Sequence, residues 1–217
     1  MKDRVTIKGC VETEIVSNVQ GNRVFEITRT VVNEESKDFE EIVLISLYPT
    51  SNGSRTDSMD LSNHHLMQHL AEMKVRKVHL LFLNADVSEG RKNCQQLSYD
   101  TENLKYIEEK LKEYSGCRLV YNCGTAMSKN TVMQEIKKKL WTVVKNVRPN
   151  EQVYQIGWKG MSEEENYHVL YLGVKFNSMV WQLLPYKIPV YEQSVQKSDG
   201  GKKQKTKIEV SVKKGGK

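Results

Sequence analysis

The stretch Ile42-Val43-Leu44-Ile45-Ser46-Leu47-Tyr48 decides the fold class of this chain, because it is almost continuously apolar and leaves no face for solvent. The run Val78-His79-Leu80-Leu81-Phe82-Leu83 has the same character. Strands of this kind are covered on both sides, which is typical of a parallel sheet. Weaker runs at residues 119–121 and 169–172, and a more polar one at 152–156, predict three further strands.

Apolar residues at helical spacing fill the segments between these strands. The first predicted helix starts near Asp60 or Ser62. The second runs from Asp100, which has the side chain of a typical N-cap, to a stop at Gly116. Alternation of strands and helices favours a sheet with right-handed helical crossovers.

The clearest helical stripe lies in residues 132–147. Thr131 and Gln134 have capping-box spacing at its start, and Pro149 follows its end. The three lysines at 137–139 are predicted to lie mostly on the outer, solvated face of this helix.

The N-terminal segment has a different pattern, with apolar and polar residues alternating over 7–15 and again over 25–31. A Gly-Asn turn within residues 19–22 separates the two, so an antiparallel hairpin is predicted. The fold class is therefore predicted as α/β, a three-layer sandwich with a mostly parallel central sheet and an N-terminal antiparallel hairpin. Residues 1–193 are predicted to form a single domain, and residues 194–217 a basic flexible tail.

The composition is that of a globular protein, with 217 residues, 38% hydrophobic and 28% charged. No stretch approaches the roughly 18 apolar residues of a spanning helix, and residues 1–8 contain no apolar signal region. We therefore expect a cytoplasmic protein with no membrane partner. The four cysteines form no C-x-x-C pair, which favours reduced thiols over a disulfide framework.

The net charge of +6 comes from the tail. Residues 197–217 contain eight of the 33 basic and two of the 27 acidic residues, so the rest of the chain is neutral. A Lys-rich tail could contact the phosphates of a nucleotide or nucleic acid. The alternative is a solubilising tail that binds nothing specific, and a protein partner also stays open.

The predicted ligand site lies outside the carboxyl ends of the strands, where open α/β sheets bind ligands. The first loop there begins with Tyr48 and includes Thr50 and Ser51, whose hydroxyls suit an anion or a base. It lacks the Gly-Lys-Ser/Thr ending of a Walker A loop. Asp57 is predicted as a general base or as a ligand of a sugar hydroxyl, and its alternative role is a helix N-cap.

Two amides follow predicted strands, Asn84 after residues 78–83 and Asn122 before Gly124. An amide both donates and accepts hydrogen bonds, so each is predicted to read the edge of a base. Tyr48 and Trp158 stand at strand ends and are candidates to stack on that base, with core packing as the alternative. These residues are predicted to line one crevice with the polar residues of the first loop.

His65, His69 and Glu72 have a spacing that places three metal ligands on one helix face. No H-E-x-x-H pattern accompanies them, so surface histidines are the favoured interpretation. No metal site and no cofactor are predicted.

The order of these motifs resembles that of an uncharacterised bacterial and phage family, domain of unknown function 1643. The resemblance covers roughly residues 1–192. Tyr48, Cys123 and Ile188 stand where that family has Asn, Trp and His, a departure that suggests a divergent member with lost activity. The matched positions are Leu47-Tyr48-Pro49-Thr50-Ser51, Asp57, Leu83-Asn84, Asn103, Asn122-Cys123-Gly124, Leu172-Gly173 and Ile188-Pro189.

The resemblance supports the fold more than a mechanism. The same order is similar, at the level of fold analogy, to uracil-DNA glycosylases, which also have a Pro-containing loop after a first buried strand. The sequence therefore predicts an α/β domain that binds a nucleotide or a nucleic acid. If the domain is an enzyme, it is predicted to act on a base or a glycosidic bond. The alternative is a non-enzymatic interaction protein, such as a phage-type inhibitor or a small-ligand sponge.

Overall fold

A computed structural model describes residues 2–7, 11–18, 22–32, 38–49, 60–87, 100–125 and 130–189. The strands are β1 (Lys2–Ile7), β2 (Val11–Asn18), β3 (Val24–Val31), β4 (Glu40–Ser46), β5 (Val75–Phe82), β6 (Arg118–Tyr121), β7 (Tyr154–Trp158) and β8 (Trp181–Pro185). The helices are α1 (Leu61–His69), α2 (Thr101–Glu113), α3 (Thr131–Val147) and α4 (Val169–Lys175).

The strands form one mixed sheet of eight in the order β1-β2-β3-β5-β4-β6-β7-β8. The four central strands β5, β4, β6 and β7 are parallel, and the outer pairings are antiparallel. The predicted α/β fold with a parallel centre is therefore confirmed. The strongest apolar runs of the sequence form β4 and β5, which lie side by side in the middle of the sheet.

Helices cover both faces of the central strands. On one face α2 and α3 pack on β4, β5 and β6, and fully buried side chains such as Ile107, Leu140 and Val43 belong to one apolar core. On the other face α1 and α4 contribute Leu66 and Leu172 to a second apolar core. Replacing a fully buried core side chain of this kind by Ala costs about 2–5 kcal/mol.

The N-terminal region is larger than the predicted hairpin. The expected pairing is present between β2 and β3, with a register irregularity at Val16 and Ser17. The first alternating segment is divided into two strands, and β1 pairs with β2 in antiparallel orientation. The result is a three-stranded antiparallel extension, which joins the parallel centre through the pairing of β3 with β5.

The strand predicted at residues 169–172 is wrong, because these residues open helix α4. Val169 and Leu172 are buried while Leu170 and Tyr171 are exposed, which is the spacing of a helix face. An apolar run of four residues fits a helix turn as well as a strand, and His168 decides the outcome by capping the helix. The edge strand β8 that follows was not predicted.

The caps largely follow the sequence. Asp60 and Asp100 cap α1 and α2 by accepting hydrogen bonds from Asn63 N and Asn103 N. The N-cap of α1 is therefore Asp60. A helix N-cap is the alternative role predicted from the sequence for Asp57. The cap of α3 is Asn130 instead of the predicted Thr131.

Helix α3 also contains an exception to its predicted solvated face, because Lys137 is buried. Burial lowers the pKa of its ammonium group. Lys138 pairs with Glu135 at 3.1 Å near the surface. The three lysines therefore do not form one outward patch. None of the helices in the described residues is long and apolar enough to cross a membrane.

Candidate functional site

An open cleft lies at the carboxyl ends of β4 and β6, and we call it the carboxyl-edge cleft. Ser46, the last residue of β4, and Asn122, the first residue after β6, form its base. Asp60 and Asn63 reach it from the start of α1, and His168 from the start of α4. The remaining lining residues are Ile27, Leu44, Tyr48, Ser62, Leu66, Leu80, Phe82 and Val169.

Asn122 is the residue of the cleft whose hydrogen-bonding capacity is left unused. Its backbone N–H donates to Ile45 O at 2.9 Å and continues the pairing of the sheet. Its side chain is only 2% exposed, and its Oδ1 has no hydrogen-bond partner among the described residues. A buried acceptor without a partner costs about 1–3 kcal/mol, so its retention calls for an explanation.

Ser46 and His168 form a pair, with 3.5 Å between Ser46 Oγ and His168 Nε2. The other ring nitrogen, Nδ1, accepts a hydrogen bond from Leu170 N at 3.2 Å as the cap of α4. Burial lowers the pKa of His168, although the carboxylate of Asp60 opposes the shift, so the ring is neutral at pH 7. Its single proton is therefore on Nε2.

This tautomer decides the chemistry of the pair. His168 Nε2 donates to Ser46 Oγ and cannot take the hydroxyl proton. An activated serine nucleophile needs the opposite arrangement, in which the imidazole accepts. The pair therefore offers hydrogen-bond donors to the cleft, and it does not form a nucleophile–base dyad.

The carboxylate of the cleft is held by its own helix. Asp60 Oδ1 accepts from Asn63 N at 2.8 Å and Oδ2 accepts from Asn63 Nδ2 at 2.9 Å. No lysine or arginine is among the described residues that line the cleft. Its polar groups are thus neutral or anionic, which suits an uncharged polar ligand better than a phosphate.

The predicted site residues are only partly brought together. Tyr48 and Asn122 line the cleft. Thr50, Ser51 and Asp57 lie outside the described residues.

The other three predicted residues lie away from the lining. Asn84 is fully buried, and its Oδ1 accepts from Asp86 N at 2.8 Å to close a turn. Trp158 ends β7 and stacks on Phe176 with 4.2 Å between ring centroids. The amide of Asn84 and the ring of Trp158 therefore serve local structure.

Gly124 acts on the cleft indirectly. It has a φ of +62°, and a Cβ there would lie 2.7 Å from His168 N. Its own N–H donates to Asn166 Oδ1 at 2.7 Å. Gly124 thus lets the chain leaving β6 pass close to the segment that carries His168.

His69 of α1 is held by contacts within the fold. His69 is buried and both of its ring nitrogens are engaged, Nδ1 with Glu72 Oε2 at 2.9 Å and Nε2 with Asn177 Oδ1 at 3.0 Å. Its ring stacks on Trp181 at 3.9 Å. The expectation of surface histidines is therefore wrong for His69, which connects α1 to β8.

Sequence reasoning did not single out Ser46, Asn63 and His168 as parts of the cleft. Ser46 did carry a signal, because it is the one hydroxyl in an otherwise apolar buried run. His168 had none, since its position depends on the start of a helix that was predicted as a strand.

The fold and the cleft together define a class, an α/β protein with a polar cleft at the carboxyl edge of a parallel sheet. Comparison of the chain with models of known families, with curated proteins and with solved structures gives no match in any of the three. The resemblance to domain of unknown function 1643 therefore stays a prediction from motif order.

Proposed function

We propose that this protein binds a nucleobase-containing ligand, a nucleotide or nucleic acid, with the base in the carboxyl-edge cleft. The observation that carries the proposal is Asn122, which lines the cleft and whose buried Oδ1 has no hydrogen-bond partner among the described residues. An N–H group of a bound base would supply the missing donor.

The groups around Asn122 support a base over a simple polar solute. Asn122 offers an acceptor, and the hydroxyl of Ser46, which accepts from His168 Nε2, offers its own proton as a donor in the same cleft. Adjacent donors and acceptors in fixed positions match the edge of a nucleobase, which presents the same alternation. Tyr48 also lines the cleft and packs against the apolar core beside it.

The charge distribution supports recognition of the base instead of its phosphate. The described lining residues include the carboxylate of Asp60 and no cation. Contact with phosphate then falls to the Lys-rich tail at residues 197–217, which lies outside the described residues. We therefore expect nucleosides to bind as well as nucleotides do at high salt, where contacts to phosphate are screened.

If the protein also acts chemically on the bound ligand, that activity depends on Asp57. The Ser46–His168 pair does not provide a nucleophile, and Asp60 is engaged as a helix cap. Action on a base or a glycosidic bond would need a general base, and Asp57 is the carboxylate that the sequence offers for it. Binding without turnover is the form of the proposal that the described residues support best.

The experiment compares Asn122→Leu with Asn166→Leu in binding and in thermal unfolding. Leu has the same branching and the same number of side-chain heavy atoms as Asn, with methyl groups, which are larger, in place of the amide oxygen and nitrogen. Asn122→Leu should abolish the thermal shift produced by a panel of nucleosides, nucleotides and short single-stranded DNA, and should raise the melting temperature of the free protein. That rise follows because the substitution removes a buried acceptor that has no partner.

Asn166→Leu is the matched control. Its amide is fully used, accepting from Gly124 N at 2.7 Å and donating to Tyr121 O at 2.8 Å, so its loss should lower the melting temperature. A parent protein that responds to no member of the panel would contradict the proposal, as would undiminished binding by Asn122→Leu.

The second candidate function is a non-enzymatic interaction protein. It is favoured by exposed apolar side chains on α4 and after it, among them Tyr171 at 46%, Val174 at 60% and Val180 at 69% exposure. Exposed apolar surface of this kind is typical of protein contacts. This candidate would be supported by two results together. The protein would bind no member of the nucleobase panel, and a purified protein partner that binds the parent chain would not bind the Val174→Glu variant.

A further inference from the structure

A second group of polar residues lies at the opposite end of the parallel strands. Glu41 is near the start of β4, His79 is in the middle of β5, and Cys117 directly precedes β6. One ligand atom from each residue lies within 4.8 Å of the other two. Together with Glu26 of β3 we call these residues the His79 cluster. It is separate from the carboxyl-edge cleft, and the inference drawn from it does not depend on the proposed function.

One ring nitrogen of His79 is directed into this group without a hydrogen bond. The side chain of His79 is 4% exposed, and its Nε2 has no hydrogen-bond partner in the described part of the chain. Glu41 Oε2 lies 3.7 Å from Nε2, beyond hydrogen-bond distance. A buried imidazole nitrogen that faces a carboxylate and a thiol without bonding to either points to a missing occupant.

The other ring nitrogen is fixed by Glu26. His79 Nδ1 lies 3.2 Å from Glu26 Oε1, and the carboxylate also accepts from Tyr106 at 2.7 Å and Tyr114 at 2.8 Å. Burial alone would raise the pKa of Glu26, but hydrogen bonds from His79 and the two tyrosines bring it to about 2. Thr28 Oγ1 lies 3.2 Å from the same Nδ1 and donates to Glu26 Oε1 at 3.0 Å, so Nδ1 is the ring nitrogen engaged by the protein and Nε2 is the one left facing Glu41.

We propose that Glu41, His79 and Cys117 bind a zinc ion, with Glu26 as the carboxylate that orients the histidine. Imidazole nitrogen, thiolate sulfur and carboxylate oxygen are the three donor types that zinc takes in proteins. Three protein ligands leave a fourth position for water, as in zinc sites that bind a further ligand. A carboxylate on the second ring nitrogen is the usual companion of a metal-bound histidine.

The distances fit a tetrahedral ion after a small adjustment. Zinc bonds of roughly 2.0–2.3 Å place neighbouring donor atoms about 3.3–3.6 Å apart. The His79 Nε2–Glu41 Oε2 distance of 3.7 Å already matches. All donor atoms lie within 4.8 Å, so the thiol of Cys117 has to approach by about 1 Å at most to complete the set. Zinc would bind the thiolate, and the thiol proton would leave to solvent.

Neighbouring groups leave the required lone pairs accessible. Arg76 donates to Glu41 Oε1 at 2.8 Å and so fixes the carboxylate while Oε2 faces His79. The ring of Tyr114 stacks on His79 at 3.9 Å and fixes its plane. Lys77 Nζ lies 3.8 Å from Glu41 Oε2, and because Lys77 is 31% exposed its ammonium group can turn to solvent when a dication binds. Glu41 and Cys117 are both half-buried, which gives an entry path from solvent.

The test uses the full chain, reduced and freed of metal with a chelator. Co²⁺ is added first as a spectroscopic probe, and Zn²⁺ is then titrated in competition with a chromophoric chelator. We expect one equivalent of Co²⁺ with a thiolate-to-metal charge-transfer band and the visible spectrum of a tetrahedral site. Zn²⁺ should displace the Co²⁺ and raise the melting temperature.

Two substitutions and a matched control locate the ion. Cys117→Ser should abolish the charge-transfer band and raise the Kd for Zn²⁺ at least tenfold, and Glu41→Gln should raise it similarly while the band persists. Glu40→Gln changes the preceding residue, which pairs with Arg118 at 3.0 Å, and should leave the Kd unchanged.

Two results would overturn the proposal. The first is the absence of a thiolate band in the folded parent protein, which would make His79 a protonated bridge between Glu26 and Glu41. The second is a band or a Zn²⁺ affinity that Cys117→Ser leaves unchanged, which would place the metal on other residues. Circular dichroism of each variant verifies that it is folded, and Glu41→Gln serves as the second measurement should Cys117→Ser unfold.

Discussion

The carboxyl-edge cleft and the His79 cluster both bury polar side chains, toward opposite ends of the parallel strands of one sheet, but the hydrogen bonds of those side chains are satisfied differently. In the cleft, the acceptor of Asn122 has no partner among the described residues, and the nearby donors are neutral. In the His79 cluster, Glu26 is an ionised carboxylate that several donors surround, and a single lone pair on His79 is left over. The first region is thus suited to an uncharged ligand and the second to a cation.

The difference also predicts where stability depends on polar groups. The amide of Asn122 contains an acceptor without a partner among the described residues, which lowers the free energy of unfolding. Replacing this amide by an apolar side chain should therefore raise the free energy of unfolding. The buried carboxylate of Glu26 is the opposite case, because it accepts from Thr28, His79, Tyr106 and Tyr114 and its removal leaves those donors without an acceptor. The following substitutions test this contrast, from the largest expected effect to the smallest.

Glu26→Ala should destabilise the protein by about 3–5 kcal/mol, because it leaves His79, Tyr106 and Tyr114 without their common acceptor. Urea unfolding followed by circular dichroism measures the change. Glu12→Ala, on the neighbouring strand β2 and half-buried, is the control and should change stability by about 0.5 kcal/mol or less. Equal losses of stability in the two variants would show that Glu26 contributes no more to stability than an ordinary strand residue does.

The same carboxylate predicts an acid-sensitive part of the stability. The pKa of Glu26 is lowered from 4.5 to about 2 in the folded protein. A lowered pKa contributes stability that is complete above pH 4.5 and is lost as the pH falls toward 2, here about 3 kcal/mol. Urea unfolding at a series of pH values should show this loss in the parent. The loss should be smaller in Glu26→Ala, and a parallel profile in that variant would show that other groups cause it.

Gly124→Ala should destabilise the protein by about 1–3 kcal/mol and weaken ligand binding in the cleft. The added Cβ meets His168 N at 2.7 Å in a backbone with φ of +62°, so the segment of His168 has to move. Gly160→Ala is the matched control, since Gly160 has φ of +97° and nothing within 4 Å of an added Cβ. Thermal unfolding and ligand titration of both variants measure the two effects, and a Gly160→Ala variant that loses as much binding would contradict this role for Gly124.

Ser46→Ala should have the smallest effect, a loss of about 1 kcal/mol or less, because His168 Nε2 then lacks one acceptor. If the protein turns over a ligand, this substitution should leave the rate within a few-fold of the parent. A loss of several orders of magnitude would show that Ser46 is a nucleophile and that the tautomer of His168 changes on ligand binding.

The parallel centre of the fold could be predicted because it depends on local signals. Residues 42–48 and 78–83 are long apolar runs, and Asp60 and Asp100 have the side chains that helix N-termini require. The position of the cleft followed from the same strands, since the carboxyl ends of parallel strands meet at one edge. The identity of its residues did not follow, because His168 enters only through the short helix α4.

The His79 cluster could not be predicted for a different reason. Its residues come from four strands that are adjacent in the sheet, β3, β5, β4 and β6, but distant in sequence. No spacing rule connects Glu26, Glu41, His79 and Cys117. The available signal was a polar residue inside an apolar strand, which both Glu26 and His79 provide. Asn84 shows the limit of that signal, since its buried amide closes a turn and does not line the cleft.

Strand β4 contributes Glu41 to one region and Ser46 to the other, about 16 Å apart along an extended backbone. At that separation, substitutions at the two ends should act additively, and an occupant of either end should stabilise the folded chain without changing the affinity of the other. The strand would then behave as a spacer that keeps the two ends thermodynamically independent. Each end could be redesigned for a new ligand while the other is kept as it is.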